Sequence, residues 1–194
     1  MRETVFMSRA ELVCELIATP QSPAVSDVSA AYVAACDTPA SPPCDALVSR
    51  KLSIAREILL RDLTAQMKSS PILGSPAAVR DWLKLHCAHA EHEVFILLHL
   101  DVRNHLIEAE EIFRGTLTQT SIYPREVVKS ALARNAAAVI LAHNHPSGNP
   151  EPSQADCLLT KQLASALSLV DVRVVDHFVA AGDGILSFAE RGLL

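Results

Sequence analysis

An apolar run, Ala136 to Ala142, leads directly into the string His143-Asn144-His145-Pro146-Ser147-Gly148-Asn149-Pro150-Glu151-Pro152-Ser153-Gln154-Ala155-Asp156. A short continuous apolar run bounded by turn-forming residues reads as a buried strand, which places both histidines at a strand's end. Side chains two apart on a strand share a face, so His143 and His145 can reach one ion. A serine, Ser153, follows eight residues after His145, and a carboxylate, Asp156, three after the serine. Two neutral imidazoles and one carboxylate leave a fourth position open to water, which is how catalytic zinc sites are built. Gly148 supplies the turn in the intervening loop, while Pro146, Pro150 and Pro152 stiffen it and lower the entropy cost of assembling the site.

Each element of this string also has a plainer reading. Ser153-x-x-Asp156 is a capping-box variant, a common way to start a helix. A first-turn residue can both cap and point its carboxylate outward, so the two readings coexist. Either histidine alone is an ordinary polar residue at a strand end; the joint spacing with Ser153 and Asp156 argues for ligands. His86, His89 and His92, three apart and near Cys87, read as surface residues because no further anchor accompanies them.

The order H-x-H, seven residues, then S-x-x-D resembles the JAMM (MPN-plus) metalloproteases, and the fuller string His143 to Asp156 resembles their RadC-like bacterial branch. Glu93-Val94-Phe95, Tyr123-Pro124-Arg125-Glu126, Asp176-His177 and Ser187-Phe188 extend the resemblance, which covers roughly residues 75–194 and fades over 54–74. Asn149 stands where family members more often carry Asp, at a position that is not a ligand in the pattern. The resemblance implies a zinc ion held by His143, His145 and Asp156, with Glu93 as the general base on the attacking water. It implies that Ser153 hydrogen-bonds the tetrahedral oxyanion. Glu91, two residues before Glu93, is the alternative base. His177 matches a family position outside the ligands, either orienting a ligand histidine or making a structural hydrogen bond. The implied activity is hydrolysis of a peptide or isopeptide bond in a protein or peptide substrate. An accessory role in DNA repair or recombination, or in a mobile element, with a structural or binding metal site, is the alternative.

Composition narrows these readings. The chain carries 17 Lys and Arg against 22 Asp and Glu, a net charge of −5. Residues 1–70 hold 7 basic against 8 acidic residues, and residues 71–194 hold 10 against 14. Nucleic-acid binding leaves a basic footprint, so direct contact with nucleic acid is not expected. No apolar run approaches the ~20 residues that span a bilayer, and Glu3, Glu11 and Glu15 interrupt the region where a secretion signal would lie; a cytoplasmic location is expected. Five cysteines with no C-x-x-C pair point to free thiols rather than a disulfide framework.

Three segments emerge along the chain. Residues 1–46 form an Ala-, Ser- and Pro-rich extension, expected to be partly disordered, with a helix-capable stretch at Arg9–Ile17. Residues 47–74 hold an amphipathic helix with the stripe Leu52, Ala55, Ile58, Leu59, Leu63 and Met67, followed by a linker. Residues 75–194 form an α/β domain: a helix from Ser75-Pro76, strands at 93–100, 105–113, 116–122, 137–142, 172–179 and 185–187, and helices from Pro124 and Ser153. The family resemblance adds a mixed curved sheet flanked by helices, of the MPN/JAMM, cytidine-deaminase-like kind.

Overall fold

A computed structural model describes residues 4–18, 42–74, 76–88, 90–115, 122–182 and 184–194. The expected strand at 116–122, the cap at Ser75 and His89 fall wholly or almost wholly outside these residues, as does most of the Ala/Ser/Pro-rich segment. The chain divides into two compact units, one ending at Asp62 and the other beginning at Leu63. The division falls inside a helix.

In the first unit a 3-10 turn, Thr4–Phe6, precedes helix α1, Arg9–Ile17. Ser8 caps α1 in a capping box: its hydroxyl accepts the Glu11 N–H, and its own N–H donates to the Glu11 carboxylate. Helix α2, Pro42–Ser69, starts earlier than expected and runs across the division. Polar side chains of α2 fasten the N-terminal segment. Arg61 donates to the carbonyls of Met7 at 2.6 Å and Val5 at 3.0 Å, Lys51 to those of Leu16 at 2.7 Å and Ala18 at 2.8 Å, and Asp62 receives Arg9 twice at 3.0 Å. The helix expected at Arg9–Ile17 is present with those bounds. Of the expected apolar stripe, Met67 is buried and Ala55, Ile58 and Leu63 are partly buried, whereas Leu52 and Leu59 are exposed and Ile54, outside it, is fully buried. Carbonyl-seeking cations, which a search for apolar periodicity overlooks, tie this unit together.

The second unit is built on a five-stranded sheet in the order β2-β1-β3-β4-β5. The strands are β1 Val94–Leu100, β2 Leu106–Arg114, β3 Ala138–Asn144, β4 Arg173–Ala181 and β5 Gly184–Ser187. Only β3 and β4 run parallel; the other neighbours are antiparallel. Helices α3 Pro76–Cys87, α4 Pro124–Ala133, α5 Gln154–Ser168 and α6 Phe188–Arg191 complete it. The architecture is the expected mixed α/β sheet flanked by helices. β1 and β3 are buried at every position, as the central strands of a sheet covered on both faces must be.

One face of the sheet positions the site. Phe95 and Leu97 of β1 and Val139 and Leu141 of β3 pack with Val127 and Ala131 of α4 and Leu163 and Leu167 of α5. By the two-residue period His143 continues the Val139–Leu141 row. By the helical period Asp156 and Thr160 continue the Leu163–Leu167 stripe. The apolar layer between sheet and helix thus turns polar at one end, where the H-x-H and S-x-x-D residues meet. β3 runs two residues further than expected, through His143 and Asn144, which holds His143 within the ladder opposite Phe95.

Candidate metal centre

The ligand atoms of His143, His145 and Asp156 lie within 4.8 Å of one another. His143 Nε2 is 3.0 Å from His145 Nε2 and 3.5 Å from Asp156 Oδ1, and His145 Nε2 is 3.5 Å from Asp156 Oδ2. Zinc bonds of about 2.0–2.1 Å in tetrahedral geometry place neighbouring donors roughly 3.3 Å apart. The three separations bracket that value, so the residues fit a small divalent cation with one open position. Among the described residues no other cluster of this kind is brought together. His86, one of the three spaced histidines, instead stacks on Trp82 and meets Glu111 at 2.7 Å.

Local structure explains how each ligand arrives. His145 lies one residue past β3, and its N–H donates to the Ala180 carbonyl at 2.8 Å, which keeps it beside β4. Its Nδ1 donates to the Asn149 carbonyl at 2.8 Å. A carbonyl only accepts, so Nδ1 carries the hydrogen and Nε2 of the neutral ring offers a lone pair to the cluster. Because the backbone of Asn149 makes this contact, the Asn-for-Asp departure from the family string leaves it intact. Gly148 lies at φ +80°, where a side chain would be strained, and its N–H closes the turn onto the His145 carbonyl at 3.1 Å.

Asp156 is held from the other side. The Ser153 N–H and hydroxyl donate to its Oδ2 at 2.7 and 2.6 Å, and its own N–H returns to the Ser153 hydroxyl at 3.2 Å. The S-x-x-D string is thus a real capping box that also aims Oδ1 at His143. The Ser153 proton is committed to Asp156 in this geometry, so donation to a substrate oxygen requires the exposed hydroxyl to rotate.

The electrostatics follow from burial and proximity. Burial lowers the His143 pKa to about 4, with His145 contributing, against an opposing pull from Asp156. Burial also drives His177 well below its ordinary value, helped by His143. Burial alone would raise Asp156, but hydrogen bonds from His145 and Ser153 and the charge of His143 hold it below the usual carboxylate range. His145 is raised, chiefly because its protonated ring can donate a hydrogen bond to Asp156. The centre therefore offers neutral His143 and an ionised carboxylate, the forms that bind a metal.

Glu93 immediately precedes β1, partly buried, and its charge is among those that raise the His145 pKa. Glu91 is exposed and makes no such contribution. Two residues that sequence reasoning missed complete the arrangement. Asn144, between the paired histidines, accepts the Val94 N–H at 2.8 Å and donates to the His92 carbonyl at 3.1 Å, gripping the chain on both sides of Glu93. Thr160, one turn beyond Asp156 on α5, meets the buried His177, which in turn meets His143 Nδ1 at 2.8 Å. An Asn between two ligands and a Thr four residues after a third carry no signal of their own, because their roles depend on which strand or helix lies opposite. Asp176 accepts the Ser187 hydroxyl at 2.6 Å and the Ala189 N–H at 3.0 Å, so it braces the start of α6, which Ser187 caps, rather than joining the centre.

Residues 73–193 match the family described as RadC-like JAB domain. The chain belongs to that family. The match spans the whole sheet and every residue of the centre. Similar relatives include a UPF0758 protein of Aromatoleum aromaticum, 62% identical over 145 residues, and one of Dechloromonas aromatica, 59% identical over 145 residues. Each comparison covers 74% of this chain and 64% of the relative. This RadC-like chain therefore spans somewhat less than two thirds of the relatives it matches. Among the described residues no helix is long and apolar enough to cross a membrane. Cys14, Cys87 and Cys157 carry free thiols.

Proposed function

We propose that this RadC-like JAB domain is a zinc-dependent hydrolase that cleaves a peptide or isopeptide bond. The observation that carries the reading is the convergence of two imidazole nitrogens and a carboxylate, with the charge of Glu93 felt at His145. Imidazole and carboxylate donors with an open position suit zinc. Bound there, zinc supplies Lewis acidity, which in such sites lowers the pKa of water from about 15.7 to about 7.

The chain's own residues do the rest. His143, His145 and Asp156 would hold the ion, and three protein ligands would leave one position for water or substrate. Glu93 accepts the proton of the attacking water and returns it to the leaving amine. The Ser153 hydroxyl, turned away from Asp156, donates to the oxygen that gains negative charge as the carbonyl becomes tetrahedral. The Asn144 grip keeps Glu93 at a fixed reach, which general-base catalysis needs because small misplacements are costly. A cleft of about 230 Å³, whose lining includes Lys84, Cys87, Ala90, His145, Pro146 and Gly148, adjoins the centre at His145.

The test is a peptide-library digestion with zinc-loaded protein, reading new termini by mass spectrometry. Cleavage products from wild type, absent with Glu93→Gln and Asp156→Ala, are expected. Identical products from wild type and both variants would show that the cleavage comes from elsewhere.

A further inference from the structure

We infer that Thr160 is a positioning residue that sets, through His177, the tautomer in which His143 can bind a metal. This role for Thr160, which is not itself a ligand, rests on the proposed role of His143 as one.

The chain of contacts begins at the Thr160 hydroxyl, 2.6 Å from the Asp156 carbonyl oxygen. Two oxygens so close repel unless a hydrogen lies between them, and only the hydroxyl has one to give. A threonine bonding back to the carbonyl four residues earlier is a familiar helical arrangement. With its hydrogen spent, the Thr160 oxygen can only accept from His177 Nδ1, 2.7 Å away. His177 Nδ1 therefore carries the ring hydrogen, and its Nε2 carries a lone pair. That lone pair lies 2.8 Å from His143 Nδ1, so Nδ1 of His143 must be the donor. Its Nε2 is then bare, and Nε2 is the atom that faces His145 and Asp156.

The same reasoning gave His145 a bare Nε2 through the Asn149 carbonyl. Two lone pairs 3.0 Å apart, beside a carboxylate, are the donor set a metal ion can accept together. Burial leaves little freedom for the relay to rearrange: Thr160 is 1% exposed, His177 0% and His143 2%. These atoms are closed off from bulk solvent, so the hydrogen of one threonine dictates the state of a ring two steps away. Were the Thr160 hydroxyl to donate to His177 instead, every direction would reverse, and an N–H of His143 would point into the metal position. The relay also links two ligands, since Thr160 hangs from the backbone of Asp156 while it orders His143.

The test uses the full chain, metal-stripped, with nitrogen-labelled histidine, in two-bond proton–nitrogen correlation spectra near pH 8, where neutral imidazoles dominate. Wild type should show His143 and His177 with the hydrogen on Nδ1. Thr160→Ser, which keeps the hydroxyl, should show the same pattern. Thr160→Val, nearly the same shape without the hydroxyl, should lose it. Zinc affinity, measured by competition with a chromophoric chelator, should fall about 10–100-fold in Thr160→Val and stay within about threefold of wild type in Thr160→Ser, the range seen when partners of metal-binding histidines are removed. The wild-type spectrum tests the inference without any variant: a hydrogen on Nε2 of His143 or His177 overturns it. Wild-type zinc affinity in Thr160→Val overturns it as well. Wild-type protein that takes up no zinc defeats the ligand reading, and this inference falls with it.

Discussion

Replacing Asn144 with alanine separates the positioning of the base from the holding of the metal. The Asn144 carboxamide is 4% exposed and makes two bonds, accepting from the Val94 N–H and donating to the His92 carbonyl. Val94 is itself buried at the first position of β1, so its N–H would be stranded, at a cost of about 1–3 kcal/mol. His92 is exposed, so water can replace the lost bond to its carbonyl and that side contributes little. A loss of about 2 kcal/mol results, equivalent to a Tm lower by about 4–8 °C for a chain of this size. The functional consequence is larger than the thermal one. Glu93 lies between the two gripped positions and loses its fixed reach, and a misplacement near 1 Å costs up to about 10²-fold in rate. Zinc content should not change, because no ligand is touched. Calorimetry, elemental analysis and turnover on a cleaved peptide read the three quantities from one preparation. An unchanged Tm with unchanged turnover would refute the grip; loss of zinc would show that Asn144 acts on the ligands instead.

Further outcomes follow from other parts of the chain. Glu93→Gln should keep its zinc and lose about 10²–10⁴-fold in hydrolysis; near-wild-type turnover in that variant would move the base to another carboxylate. Ser153→Ala should lose about 1 kcal/mol with its helix cap and roughly 10²–10³-fold in kcat with its oxyanion donor; a variant that loses stability but keeps full kcat would leave Ser153 a cap alone. His99, fully buried near Ser130, Glu110, Glu108 and Arg134, has its pKa lowered, chiefly by burial and then by Arg134. Below about pH 6.5 the unfolded chain binds a proton at this histidine that the folded chain refuses. Its contribution to stability is full above that pH and is lost as the pH falls towards the lower folded pKa. Urea unfolding at pH 7.5 and pH 5.5 should therefore show a smaller acid loss in His99→Leu than in wild type, and equal losses would contradict it. Arg61→Ala removes donors from the carbonyls of Met7 and Val5 and should speed proteolysis within residues 4–18 without altering zinc content; unchanged digestion would show that the segment is held by other contacts.

The fold of the second unit was legible because its signals are local. The apolar runs at Val94–Leu100 and Ala138–Ala142 admit little but buried strands, and Pro124 and Ser153 mark helix starts in the sequence itself. The candidate ligands were legible for the same reason: their spacing is fixed by one strand end, one loop and one helical turn. What escaped depends on distant partners. Asn144 matters because β1 runs beside β3, and Thr160 because β4 places His177 against α5. In the first unit the helix at Arg9–Ile17 was legible, but the contacts that fasten it were not. Its order comes from Arg9, Arg61 and Lys51 reaching a carboxylate and backbone carbonyls, whereas apolar periodicity pointed to Leu52 and Leu59, both exposed.

Zinc stoichiometry measured by elemental analysis, on wild type and on His143→Ala and Asp156→Ala, tests the centre most directly. The geometry predicts about one zinc per chain in wild type, as for a site with three protein ligands, and most of that zinc lost in each variant while the Glu93→Gln protein keeps it. Wild type without zinc, or both ligand variants at full occupancy, would contradict the metal centre and the hydrolysis built on it.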